Sequence, residues 1–138
     1  MTDTEIRDIL KSTKVIAMVG YSAKPDRPSY GVAQYLRAHG YRVIPVNPGL
    51  AGQVIEGELV YPDLAAIPAD AGVDMVDIFR ASDAVPGIVD EALTLAGVRT
   101  IWMQLGVVNA AAAVTARAAG KAVVMDHCPK IELARLGL

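Results

Sequence analysis

Ten residues, Gly20 to Ser29 (GYSAKPDRPS), set a glycine, two serines, a lysine and an arginine between an apolar run and a helical one. These are residue types that hold phosphate. A helix starting just downstream presents unpaired amides and the positive end of its dipole. Ser22 and Ser29 add hydroxyl donors. Lys24 and Arg27 add charge, and the Arg27 guanidinium offers a fork of donors that matches phosphate oxygens. The competing reading is a solvated loop with ordinary basic residues. The run Gly20-Tyr21-Ser22-Ala23-Lys24-Pro25 lacks the second and third glycines of the dinucleotide fingerprint, and no Gly-Lys-Ser/Thr follows. The stretch IPVNPG (44–49) carries Asn47 and Pro48 where NAD sites carry an acid. A phosphorylated ligand other than NAD is therefore expected.

Other reactive side chains form no catalytic set, and none is assigned. His39 precedes Gly40 at a helix C-terminus, where it reads as a cap. His127 lies between Asp126 and Cys128, but neighbours on a strand face opposite ways, so adjacency makes no dyad. Cys128 reads as a small buried residue rather than a nucleophile. Asp74 and Asp77, three apart on one strand, face opposite sides and form no carboxylate pair. Asp74 is expected to be exposed, and Asp77 to bond a neighbouring loop amide. No His, Cys, Asp or Glu cluster has metal-ligand spacing, so no metal is assigned.

The elements that position the loop alternate. Thr2 and Glu5 have capping-box spacing ahead of Ile6, Ile9 and Leu10, which predicts a leading helix within 1–13. Strands are predicted at 14–20, 41–47, 73–79, 100–106 and 122–126. Helices are predicted from Pro28 to His39, from Ser82 (as cap) toward Gly97, from Asn109 (as cap) to Gly120, and after Pro129. Residues 49–72 are less regular, with a short extended piece and a turn of helix. Such alternation, with right-handed crossovers, gives an α/β fold: a Rossmann-type, doubly wound parallel five-stranded sheet with helices on both faces, three layers α/β/α, expected in the order 3-2-1-4-5. Ligands then bind at the carboxyl ends of the strands. The loops that matter are Gly20–Ser29, Asn47–Gly49, Phe79–Ser82 and Gln104–Val108.

The 138 residues make one domain, 1–138, with 53% hydrophobic and 20% charged residues. A net charge of −2 without a basic stripe gives no bulk attraction to nucleic acid, and no apolar run is long enough for a membrane span. The single cysteine and the charged, helical N-terminal segment point to the cytoplasm.

Five blocks, VGYSAKPDRPSYGVAQYL, YRVIPVNPGLAG, VDMVDIFR, IWMQLGV and MDHCPKIE, stand in an order and spacing that closely resemble the small bacterial CoA-binding proteins. These are stand-alone relatives of the CoA-binding domain of the succinyl-CoA synthetase alpha subunit and of ADP-forming acyl-CoA synthetases. The resemblance runs from about Thr4 to Leu138. It implies coenzyme A, or an acyl-CoA, as the ligand. The loop from Gly20 through Arg27, with Tyr21, Ser22 and Lys24, would cradle its phosphates, and Pro28 and Ser29 at the start of the helix complete the binding residues on that side. Pro45, Asn47 and Pro48 would lie beside the adenosine end, and Phe79, Arg80, Gln104 and Gly106 would line its path. Arg80 also reads simply as a strand-end residue in solvent. No residue corresponds to the synthetase histidine that is phosphorylated, so the resemblance implies a non-catalytic carrier, sensor or regulatory module. The alternatives are the CoA-binding subunit of a multi-subunit acyl-CoA ligase and an NAD(P)-binding protein. The apolar bias allows a homodimer, and the resemblance to synthetase domains allows a ligase-subunit partner.

Overall fold

A computed structural model describes all of residues 1–138. In chain order it runs α1 (Asp3–Ser12), β1 (Val15–Val19), α2 (Pro28–Ala38), β2 (Arg42–Val46), a small hairpin of β3 (Val54–Ile55) and β4 (Glu58–Leu59), β5 (Met75–Ile78), α3 (Val85–Ala92), β6 (Thr100–Met103), α4 (Ala110–Ala118), β7 (Ala122–Val124) and α5 (Pro129–Arg135). Five strands lie side by side, all parallel, in the order β2-β1-β5-β6-β7.

Period-two alternation divides the core. Ile16, Met18, Val43, Met75, Trp102 and Val124 meet Ile6, Leu10, Val32, Leu36 and Leu133 of α1, α2 and α5. Ala17, Val19, Ile44, Val76, Ile78, Ile101 and Met103 meet Val85, Ile88, Val89 and Ala92 of α3 and the small Ala112, Ala113 and Ala116 of α4. Covered on both sides, the strands read as near-continuous apolar runs. The three-layer α/β/α fold and all five strands are as expected, each strand ending one to three residues earlier. Gly20 and Gly106 turn the chain away at positive φ (86° and 79°), and Asp126 does so at φ 59°.

The expected strand order 3-2-1-4-5 is corrected. Counted along the chain, the sheet runs 2-1-3-4-5, the other doubly wound order. The outer edge of β2 is already occupied. Tyr61 bridges Val46 in parallel, donates to the Pro45 carbonyl at 3.1 Å and accepts from the Asn47 amide at 3.0 Å. The third predicted strand, β5, therefore cannot add beyond β2 and pairs with β1 instead. The reversal point, and with it the crevice, falls between β1 and β5, not between the first and fourth strands as the expected order implies.

The helix starts follow local chemistry. Thr2 and Glu5 form the capping box on α1. Asn109 caps α4, its Oδ1 accepting from Ala112 N at 2.9 Å. Ser82 does not cap α3 as expected. A 3-10 turn (Ser82–Ala84) intervenes, and the Ser82 hydroxyl accepts from the Val108 amide at 3.0 Å instead. His39 sits at the α2 C-cap, its Nδ1 3.0 Å from the Tyr35 carbonyl. No helix is long and apolar enough to cross a membrane.

Candidate functional site

A cleft of about 600 Å³ opens at the carboxyl ends of β2, β1, β5 and β6. Its β1 side is the loop from Gly20 to Ser29. The last β1 residue hands over to Gly20, whose φ of 86° turns the chain across the end of β5. A Cβ there would overlap the Phe79 carbonyl oxygen and stand 2.9 Å from the carbonyl carbon, so only glycine allows the loop to lie this close. The loop then folds on itself. Ser22 N donates to the buried Ser29 Oγ at 2.9 Å, and Lys24 N to Ser22 Oγ at 3.2 Å. Pro28 takes the first position of α2, where a missing amide costs nothing. The Ala23 amide makes no hydrogen bond within the chain. Lys24 and Arg27 are exposed, and neither is in an ion pair.

Asn47, at the end of β2, fastens this loop to the next. Its Nδ2 donates to the Tyr21 carbonyl and its Oδ1 accepts from the Gly49 amide, both at 2.7 Å. On the far side, Asp126 Oδ1 accepts from the Gly106 amide at 2.7 Å, which holds the turn after β6. The charged loop stands over β1, and apolar Phe79, Leu105 and Val107 stand over β5 and β6, so the cleft is cationic at one end and apolar at the other.

Ten of the residues singled out from the sequence line this cleft: Gly20, Tyr21, Ser22, Lys24, Arg27, Pro28, Ser29, Asn47, Phe79 and Gln104. Four do not. Pro48 and Arg80 line a smaller cavity of about 200 Å³ on the α3 side, which shares Gly20 and also holds Asp63 and Glu91. Phe79 and Arg80 are consecutive, so they leave the strand on opposite faces. Pro45 is buried in β2, and Gly106 serves the turn rather than the wall. Leu50 also lines the cleft and carries no sequence signal for it, because nothing local marks residues 49–72 as folding back over β2.

Cys128 is buried. His127 Nδ1 lies 2.6 Å from the Met125 carbonyl, and its Nε2 lies 3.5 Å from the buried carboxylate of Glu132, which Arg135 also holds at 2.7 Å. Asp74 is not exposed as expected. It is half-buried and accepts from the amides of Lys14 and Val15. Asp77 is corrected too. It bonds no loop amide, because its strand position faces it into the α2/α5 side of the core, level with Met18 and Trp102. Fully buried with no partner on either oxygen, its carboxyl is pushed well above the ordinary range by burial. No group of three His, Cys, Asp or Glu side chains gathers where a metal ion could sit.

Comparison with known proteins gives a consistent result. The family model described as "CoA binding domain" matches residues 14–134. The uncharacterized protein YneT of Bacillus subtilis (strain 168) is 37% identical over 127 residues, covering 92% of this chain and 90% of YneT. A hypothetical protein from Pyrococcus horikoshii OT3 superposes with a TM-score of 0.91 at 36% identity, covering 100% of this chain and 94% of that one. The dinucleotide-forming acetyl-coenzyme A synthetase 1 of Ca. Korarchaeum cryptofilum, in complex with phosphate and ADP, superposes with a TM-score of 0.65 at 26% identity. That match covers 80% of this chain but 25% of the synthetase.

Proposed function

The chain belongs to the CoA-binding domain family, and on that premise we propose that it binds coenzyme A or an acyl-CoA in the cleft across β2, β1, β5 and β6, as a carrier, sensor or regulator without a chemical step of its own. One observation carries the reading: the cleft is cationic at one end and apolar at the other. CoA has the matching polarity. Its diphosphate and 3′-phosphate suit Lys24, Arg27, the free Ala23 amide and the start of α2. Its pantetheine arm suits the wall of Phe79, Leu105 and Val107. Asn47, without a carboxylate at the end of β2, offers no acid to a ribose diol, which disfavours NAD.

Titration calorimetry of ligand-stripped protein with CoA, acetyl-CoA, NAD and ADP tests this. Micromolar or tighter CoA binding with weak NAD binding is expected. Equal or stronger NAD binding overturns the reading. The similarity to one quarter of a larger synthetase supports a second reading, a CoA-binding subunit that works with a separate nucleotide-binding ligase subunit. Affinity capture that brings down such a subunit together with acyl-CoA ligase activity would favour it.

A further inference from the structure

We propose that Gln104 reads an amide or thioester carbonyl on the arm of the bound ligand, and that the buried acid Asp77 is the positioning residue that turns its carboxamide toward the cleft. This rests on the reading of the cleft as a CoA site and assigns part of that ligand to one wall.

Gln104 follows β6 and is 6% exposed, yet it lines the cleft. Its side-chain oxygen is sealed from solvent without a partner. Its side-chain nitrogen makes no hydrogen bond within the chain and is not sealed with it. A carboxamide so placed has two free donors at the cleft and an oxygen below that still needs one.

Asp77 lies on the neighbouring strand. The register sets it opposite Trp102, and Gln104 is two residues beyond Trp102 on the same face. Two residues are about 6.6 Å along a strand and neighbouring strands lie about 4.8 Å apart, so the two backbones are about 8 Å apart there, within the span of a glutamine and an aspartic side chain reaching toward each other. Both Asp77 oxygens are buried without a partner, and no cation neighbours them. An unpaired carboxylate in that place is far costlier than a neutral acid. A neutral acid has one O–H to give, and the unpartnered Gln104 oxygen is the acceptor that the sheet sets near it. The amide then shows its NH₂ to the cleft, where Phe79 beside it and Leu105 after it form an apolar surround. Such a donor in an apolar wall selects a neutral carbonyl, and a pantetheine arm carries two amide carbonyls.

The test compares CoA with adenosine 3′-phosphate 5′-diphosphate, which is CoA without its arm. Calorimetry is run on the parent, Gln104→Leu, Asp77→Leu and Asp77→Asn. Gln104→Leu is expected to lose about tenfold in CoA affinity and less than twofold for the armless ligand, the size of one lost hydrogen bond. Asp77→Leu follows Gln104→Leu in binding while melting no lower than the parent. Asp77→Asn, which keeps a donor, binds CoA like the parent. Should Asp77→Leu fail to fold, Asp77→Asn and the Gln104 side-chain NH₂ resonances carry the test: these resonances move with CoA and stay still with the armless ligand. If the parent binds CoA and Gln104→Leu binds it equally well, or loses both ligands alike, the inference is overturned and the CoA reading stands. If the parent binds neither ligand, the CoA reading itself falls.

Discussion

The side-chain nitrogen of Asn47 donates to the backbone carbonyl of Tyr21 at 2.7 Å, which makes one side chain at the end of β2 the fastener of the loop after β1. The same carboxamide accepts from Gly49 at 2.7 Å, so it needs both a donor and an acceptor. Asn47→Ala is expected to cost about 1–2 kcal/mol in stability, two net hydrogen bonds at about 0.5–1.5 kcal/mol each less some relaxation. It should also weaken CoA binding by loosening the loop. Asn47→Asp should be worse than alanine for binding, because it sets a carboxylate against the Tyr21 carbonyl and beside the loop proposed to hold the phosphates. Denaturant melts and calorimetry on the two variants check this ranking, and an aspartate variant that binds as the parent does refutes it.

Gly20→Ala is expected to damage both fold and site. The left-handed backbone alone costs a non-glycine residue about 1–2 kcal/mol, and the new methyl meets the Phe79 carbonyl rather than a side chain that could swing away. Gly31, inside α2, has open space where a methyl group would go, with nothing within 4 Å, and no positive φ. Gly31→Ala should therefore hold or raise stability, since glycine within a helix is about 1 kcal/mol worse than alanine. Thermal melts should place Gly20→Ala below the parent and Gly31→Ala at or above it.

Lys24→Ala and Arg27→Ala are expected to leave the melting temperature within about 1–2 °C of the parent, because both side chains are exposed and unpaired. Each should weaken CoA binding by about 1.5–3 kcal/mol, roughly ten- to a hundredfold. Binding by the parent should weaken with added salt, and less steeply in each variant. Unchanged affinity in both would remove the phosphates from this loop.

The α/β class, the five strands and most of the cleft were legible because each depends on short-range pattern. Continuous apolar runs mark strands covered on both faces, glycines mark their ends, and a parallel sheet puts its ligand at those ends. The strand order was not legible, because it depends on Tyr61 reaching the edge of β2 from within a stretch that has no strong period. The direction of Arg80 was open to the same alternation rule that places Phe79 in the cleft, but Arg80 stands two residues past β5, where charge suggested the crevice. Asp77 defies its sequence context because a polar residue is ordinarily expected to have a partner, and this one has none.

That unpartnered acid gives stability a pH dependence of definite sign. In the unfolded chain Asp77 loses its proton near pH 4, at about 3.9. In the folded chain burial holds the proton well above that. Above about pH 4 the folded state thus binds more protons at this position than the unfolded state, and stability falls as pH rises, by up to about 1.4 kcal/mol per unit, until the folded group also ionises. Asp77→Asn cannot ionise and removes this slope. The difference in unfolding free energy between Asp77→Asn and the parent should grow in favour of the variant from pH 4 upward. Chemical denaturation of both proteins at pH 4, 5, 6 and 7 measures it, and other groups cancel because they are common to both. A difference that stays constant across that range would mean that Asp77 is ionised in the folded protein, and the neutral donor assigned to it beneath Gln104 would go with it.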